Sequence, residues 1–253
     1  MEKNCLIFDE AVSFDVLDSS DTELKAFLNY NPIHREYTKR QNIPERSVEE
    51  TDRGGWRGYD RVYSKYFKNI RNDKLKILEI GIHAGYGIYA WQNYFRNSMI
   101  YGIDINWNTD MIQHRNDLKI KHPLFKKAKL YNIDSTDKNH WIEFYGKQFD
   151  IIIDDGGHHP KTQVATFDCG WKYLKSKGLY FIEDVGHRYG EEELNFLSDK
   201  IESHKREFDE INIYYHENVG LKYVLQNKFY VKKNNIKNKN VSNIEYIIAI
   251  RKK

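Results

Sequence analysis

Two short stretches of this chain bring together residue types that could do chemistry. The first, Asp154-Asp155-Gly156-Gly157-His158-His159-Pro160, follows the apolar run Phe149-Asp150-Ile151-Ile152-Ile153. The second, Glu183-Asp184, follows Leu179-Tyr180-Phe181-Ile182. Each apolar run reads as a buried strand of a parallel sheet, so two consecutive strands end in paired acids. In open sheets of this kind ligands sit beyond the carboxyl ends of the strands. Asp154 or Asp155 is therefore expected beside Glu183 and Asp184. Carboxylates brought that close repel one another unless a cation neutralises them. Oxygen ligands suit a hard ion, Mg²⁺ or Mn²⁺, and a histidine beside such a site suits a general base. Taken singly, Asp154 and Asp184 could be helix caps, and His158 and His159 solvated loop residues. As a cluster they favour the chemical reading.

A third stretch supplies a ligand cradle. Lys76 to Gly87, KILEIGIHAGYG, runs from a buried strand into three glycines, Gly81, Gly85 and Gly87, and then into a helical pattern with Ile88, Trp91, Tyr94 and Phe95 on one face. Glycines let the backbone approach a ligand, and a helix N-terminus offers unpaired N–H groups. The next strand, Met99 to Ile103, ends at Asp104, which is placed to accept from ribose hydroxyls. That arrangement suits NAD as well as an adenosyl cofactor. Two details favour the latter. The glycines read E-x-G-x-x-x-G-x-G rather than G-x-G-x-x-G, and Glu79 inside the strand suits a cationic or amino-acid ligand better than a pyrophosphate. The segment resembles the first motif of the class I S-adenosylmethionine-dependent methyltransferases, with Asp104 matching their second acidic residue. By that resemblance Asp134, after the third strand Lys129 to Ile133, would lie near the adenine; a helix-capping role is nearly as good for it. Asp154 is grouped with the cofactor-contacting residues.

The acid–histidine stretches resemble a narrower family, the metal-dependent sugar O-methyltransferases of the macrocin and mycinamicin type. Their hallmark is an Asp-Asp-Gly-Ser-His loop followed by an apolar strand ending in Glu-Asp; here Gly157 stands in place of the serine. Their Thr-Asp-Lys-Gly…His-Gly-Tyr segment is matched by Thr51 to Tyr59, with Arg53 for Lys and Arg57 for His. The resemblance runs from about Thr51 to Val185. It implies metal ligation by Asp155, Glu183 and Asp184, a base role for His158 or Asp155, and acceptor contacts among Thr51, Asp52, Arg57, Tyr59 and His159. The implied reaction is transfer of a methyl group to a sugar hydroxyl. A vicinal diol could chelate the metal, and a nucleotide-linked heptose or hexose for a surface polysaccharide is the expected acceptor. The rivals are a metal-independent N-methyltransferase of a small amine and a non-catalytic adenosyl-binding partner protein.

Elements must position these residues, and 253 residues are ample for one large α/β domain with an appendage. The expected fold is a Rossmann-like sheet of seven strands, mostly parallel with an antiparallel last strand, with helices on both faces. Residues 51–253 would form this domain, and residues 1–50 an N-terminal extension that caps the site or joins a homo-oligomer. Within the extension, Leu6 to Phe8 and Phe14 to Leu17 read as short strands, and Asp21 to Tyr30 as a helix capped by Ser20 or Asp21. Tyr59, Val62, Tyr63, Tyr66 and Phe67 fall at helical spacing. Val164, Phe167, Trp171 and Leu174 mark a helix stopped by Gly178. Ile211 to His216 and Tyr246 to Ile250 fit the closing antiparallel pair, and the Lys/Asn-rich segment 228–243 between them reads as a solvated loop. A net charge of +3 requires neither nucleic acid nor an anionic membrane. Cys5 and Cys169 form no metal or disulfide pattern, no apolar run reaches membrane-spanning length, and the N-terminus is too acidic for a signal peptide, so a cytoplasmic protein is expected.

Overall fold

The computed structural model describes residues 11–14, 17, 21–28, 59–186, 191–217 and 244–253. The expected strand Leu6 to Phe8, the loop carrying Thr51, Asp52 and Arg57, and the Lys/Asn-rich segment lie outside these residues.

The strands are β1 Val12–Ser13, β2 Lys76–Ile80, β3 Met99–Asp104, β4 Lys129–Asn132, β5 Phe149–Asp154, β6 Leu174–Gly186, β7 Phe208–Glu217 and β8 Ile244–Lys252. They form one sheet in the order β1-β7-β8-β6-β5-β2-β3-β4. β8 runs antiparallel to both β6 and β7, and every other pairing is parallel. The helices are α1 Thr22–Leu28, α2 Tyr59–Phe67, α3 Tyr86–Tyr94, α4 Thr109–Lys121, α5 Pro160–Gly170 and α6 Glu191–Ser203. This is the Rossmann-like α/β arrangement expected, with one two-residue edge strand added. No helix among the described residues is long and apolar enough to cross a membrane.

The period-two alternation of strand side chains divides the core into two layers. Ile77, Ile151, Ile153, Phe181, Ile247 and Ala249 face α1, α2 and α3. Their immediate neighbours Leu78, Ile152, Tyr180, Ile182, Ile248 and Ile250 face α5 and α6. Strands buried on both faces must be apolar at successive positions, which is why these segments read as continuous hydrophobic runs. The described N-terminal parts join the first layer through Phe14, Leu24 and Leu28. Asp21 caps α1 by accepting from the Leu24 N–H at 3.0 Å, and its other oxygen accepts from the Tyr94 hydroxyl.

Three local expectations change. Among the described N-terminal residues the strand is Val12–Ser13, whereas Phe14, expected to open a strand, accepts from the Leu17 N–H and drops its ring into the core. α5 ends at Gly170, a 3₁₀ turn covers Trp171–Tyr173, and Leu174 already pairs with Phe149. Gly178 therefore sits inside β6, at a register shift, where a Cβ would meet the Asp150 carbonyl oxygen at 3.0 Å. The glycine marks close backbone approach at a bulge, not a helix stop. Likewise Glu183 and Asp184 lie within β6, not at its end. The β6–β8 register shifts between Ile182 and Val185, and Asp184 takes φ +55°, the left-handed region.

Candidate active site

The site lies where the strand order reverses. β2 carries β3 on one side and β5 on the other, so the loops leaving β2 and β5 diverge and leave a crevice at their carboxyl ends. A cleft of about 750 Å³ opens there, bounded by Gly81, Asp104, Asp134, Asp155, His158 and Asp184 among others. That is within the usual range for a small-molecule site.

The glycine loop fits against the β5 loop with no room for a side chain. Gly81 has φ +81°, and a Cβ there would lie 2.2 Å from the Asp155 carbonyl oxygen. Gly85, at φ +94°, is the N-cap of α3, and Gly87 lies in that helix's first turn. His83, between them, also adopts a left-handed φ of +43°. Its N–H donates to Asp104 Oδ2 at 2.6 Å, and the Asn106 N–H donates to Oδ1 at 2.7 Å. The acid at the end of β3 is thus locked to the glycine loop.

Arg115, on α4, reinforces that lock and is a residue the sequence reading missed. Its guanidinium donates to the His83 and Asn106 carbonyl oxygens and pairs with Asp104 at 3.3 Å. It lies over the Trp107 ring, whose indole N–H donates to the Asp104 carbonyl. The side chain is buried, and burial pulls its pKa down while the Asp104 charge opposes the shift. An arginine in a polar helix offers no local signal of this role; only the tertiary approach of α4 to the loop reveals it.

Asp134 sits across the cleft. Its Oδ1 accepts from the Thr136 N–H and hydroxyl, and these bonds hold its carboxyl below the usual range. Ile133, also lining the cleft, is buried, whereas Ile105 is 68% exposed on its rim. A flat apolar ligand face would cover that exposed side chain.

At the other end, Asp155, His158 and Asp184 each present a ligand atom within 4.8 Å of the others. His158 Nε2 is 3.6 Å from Asp184 Oδ2. Asp184 Oδ1 accepts from the Tyr59 hydroxyl at 2.6 Å. Two carboxylates and an imidazole, one of the acids buried, form a donor set that fits a divalent cation. Glu183 stands next in the chain with its carboxylate accepting from the Tyr63 hydroxyl, on the face of the sheet that α2 covers.

Other expected residues lie behind the cleft rather than on it. Glu79 is buried within β2, in register with Gly102 and Ile153. Asp154 is buried beside Tyr180; burial, with the Asp155 charge adding to it, pushes its pKa up to about 8, against the lowering effect of the Gly156 N–H. His159 caps α5, its Nδ1 accepting from the Lys161 N–H, with Pro160 as the first helical residue. Tyr59 is buried behind Asp184. Gly157, at the position of the family's serine, faces Thr162: a Cβ would lie 2.5 Å from the Thr162 Cγ2. The threonine fills the space a serine would use.

No family model matches the chain. The demethylmacrocin O-methyltransferase of Streptomyces fradiae is 29% identical over 137 residues, 50% of this chain and 31% of that protein. The mycinamicin VI 2''-O-methyltransferase of Micromonospora griseorubida is 30% identical over 134 residues, again 50% of this chain and 31% of that protein. The match therefore spans about a third of the length of these curated relatives. Among solved structures, the MycE methyltransferase from the mycinamycin biosynthetic pathway, in complex with Mg, SAH and mycinamycin VI, superposes with a TM-score of 0.51 at 20% identity, covering 88% of this chain and 55% of that one. At that identity the likeness is one of fold. The chain has the class I methyltransferase fold and is related in sequence to the macrocin- and mycinamicin-type sugar O-methyltransferases.

Proposed function

We propose that the chain is an S-adenosylmethionine-dependent O-methyltransferase that acts on a sugar hydroxyl with the help of a divalent cation, Mg²⁺ or Mn²⁺. The observation that carries this reading is the convergence of Asp155, His158 and Asp184 in the same cleft as the glycine loop and Asp104. The two sequence relatives named above are O-methyltransferases, named for demethylmacrocin and for mycinamicin VI.

In this reading Gly81 admits the cofactor against bare backbone, Asp104 accepts from the ribose hydroxyls, and Asp134 and Ile105 border the adenine. When bound, S-adenosylmethionine supplies the methyl group and the cation acidifies the acceptor hydroxyl. Asp155 and Asp184 would hold the cation, with Glu183, its carboxylate held by the Tyr63 hydroxyl, as the third acid of the set. His158 is the residue best placed to take the acceptor proton, with Asp184 steadying the imidazolium that results; Asp155 is the alternative base. The chain's main contribution is then alignment of acceptor oxygen, methyl carbon and sulfur, an effect worth roughly 7–11 kcal/mol in favourable model reactions. Two adjacent sugar hydroxyls could both reach the cation, so a vicinal diol is the preferred acceptor. Within that class, the finer proposal is a nucleotide-linked heptose or hexose destined for a surface polysaccharide.

The test is mass spectrometry of nucleotide sugars and small-molecule glycosides incubated with the protein and S-adenosylmethionine, with and without EDTA. Methylation that EDTA abolishes supports the proposal, and the acceptor that reacts decides between nucleotide sugar and glycoside. Methylation indifferent to EDTA removes the metal role. Methylation of amines alone would move the function to an N-methyltransferase, and cofactor binding without turnover on any acceptor would favour a non-catalytic adenosyl-binding protein.

A further inference from the structure

We propose that Tyr59 and Tyr63 are positioning residues that set the cation affinity of the Glu183–Asp184 corner; this rests on the metal reading above. The two tyrosines are four residues apart on α2, so their side chains leave the same helix face. Each reaches one of the two consecutive acids. The Tyr59 hydroxyl donates to Asp184 Oδ1 at 2.6 Å and accepts from the Asp184 N–H at 3.3 Å. The Tyr63 hydroxyl donates to Glu183 Oε1. From the opposite layer, the Gln163 side-chain amide donates to the Glu183 carbonyl oxygen at 2.9 Å. All five side chains are buried.

The backbone explains why so many holds meet here. Asp184 has φ +55°, a left-handed conformation uncommon for residues other than glycine, though aspartate tolerates it better than most. Tyr59 binds both the N–H and the carboxylate of that residue, so one hydroxyl fixes its backbone and its side chain together. The phenols are themselves held: the Tyr63 ring lies 5.1 Å from each of Phe67, Trp91 and Phe181, and Tyr59 meets Phe14 edge-on at 5.8 Å.

The chemistry of the donors matters as much as their geometry. A neutral phenol orients a carboxylate without cancelling its charge. A lysine or arginine in the same place would compete with the cation for it. Two tyrosines therefore aim both acids without placing a positive charge of their own beside them, which is what outer-shell partners of metal ligands do.

The experiment is Mn²⁺ titration of the full chain, read by electron paramagnetic resonance, for the wild type, Y59F, Y63F and Y66F. Tyr66 lies on the same helix, but its hydroxyl bonds to Tyr214 and Asn212, so Y66F controls for the loss of any buried hydroxyl. The expected result is Mn²⁺ binding weakened about 10- to 100-fold in Y59F and Y63F. S-adenosylhomocysteine affinity should stay at the wild-type level in both, and Y66F should bind Mn²⁺ as the wild type does. Wild-type Mn²⁺ affinity in Y63F and Y59F, or equal weakening in all three, would overturn the proposal. Should Y59F not fold, Y63F alone decides. A wild type that binds S-adenosylhomocysteine but no Mn²⁺ would instead overturn the metal reading itself, and this inference with it.

Discussion

His158 Nε2 stands 3.6 Å from Asp184 Oδ2, although 26 residues separate the two in the chain. The pair joins the loop after β5 to the bulge in β6. It places an imidazole, itself partly exposed to the cleft, against a buried acid. In the proposed mechanism this contact orients the base and stabilises its charged form.

Replacing His158 by alanine separates its two possible jobs. As a base, its loss should lower turnover about 100- to 10,000-fold while Mn²⁺ affinity stays within a few-fold of wild type. Mn²⁺ titration alongside single-turnover kinetics checks this. Collapse of Mn²⁺ binding would make His158 a ligand and leave Asp155 as the base.

Gly81 cannot accept a side chain. An alanine Cβ would sit 2.2 Å from the Asp155 carbonyl oxygen, at a φ of +81°. We expect G81A to lose about 2 kcal/mol or more of stability and to bind S-adenosylhomocysteine poorly, measured by denaturant unfolding and calorimetry. G146A shares the positive φ, +71°, but its Cβ would meet nothing within 4 Å. It should show only the backbone cost, about 1–2 kcal/mol, with cofactor affinity intact.

Gly157 and Thr162 should behave as a coupled pair. G157S forces the new Cβ against the Thr162 methyl and should destabilise by about 1–3 kcal/mol. T162A removes that methyl, so the double variant should recover most of the loss. A double-mutant cycle measures the coupling; additive effects would mean the loop moves to accept the serine.

Asp154 gives the stability a pH dependence of defined sign. Its carboxyl has a folded-state pKa near 8, against 3.8 when unperturbed, because it is buried. The folded protein therefore holds this proton more tightly than the unfolded chain does. Its contribution is fully present below pH of about 4 and is lost as pH rises through about 8. Relative to wild type, D154N should gain in melting temperature as pH goes from 5 to 8. A difference independent of pH would mean that Asp154 is ionised in the folded protein throughout that range.

Much of the site was legible because its signals are local. A buried strand on both faces must be continuously apolar, so β2, β5 and the core of β6 stand out, and the residues that leave their carboxyl ends are the candidates for chemistry. Gly81 and Asp104 could be assigned from spacing because one strand–loop–helix unit and the following strand fix their separation. The ends of elements were less legible. Gly178 looks like a helix stop and is a bulge glycine, since a tight backbone approach and a chain reversal select the same residue.

The sequence by itself determined the α/β sheet, its apolar strands, the glycine loop and the acids that close the apolar runs, all of which depend on periodicity and near-neighbour geometry. Only the tertiary structure decided which acids share the cleft, that Asp154 turns into the core and Asp184 toward His158, that His159 caps a helix, and that Arg115, Tyr59 and Tyr63 brace the site from other elements. These last relationships join residues as many as 125 positions apart. No local pattern encodes them, because they arise from the order in which strands pack side by side and from the helix faces that the core then brings against them.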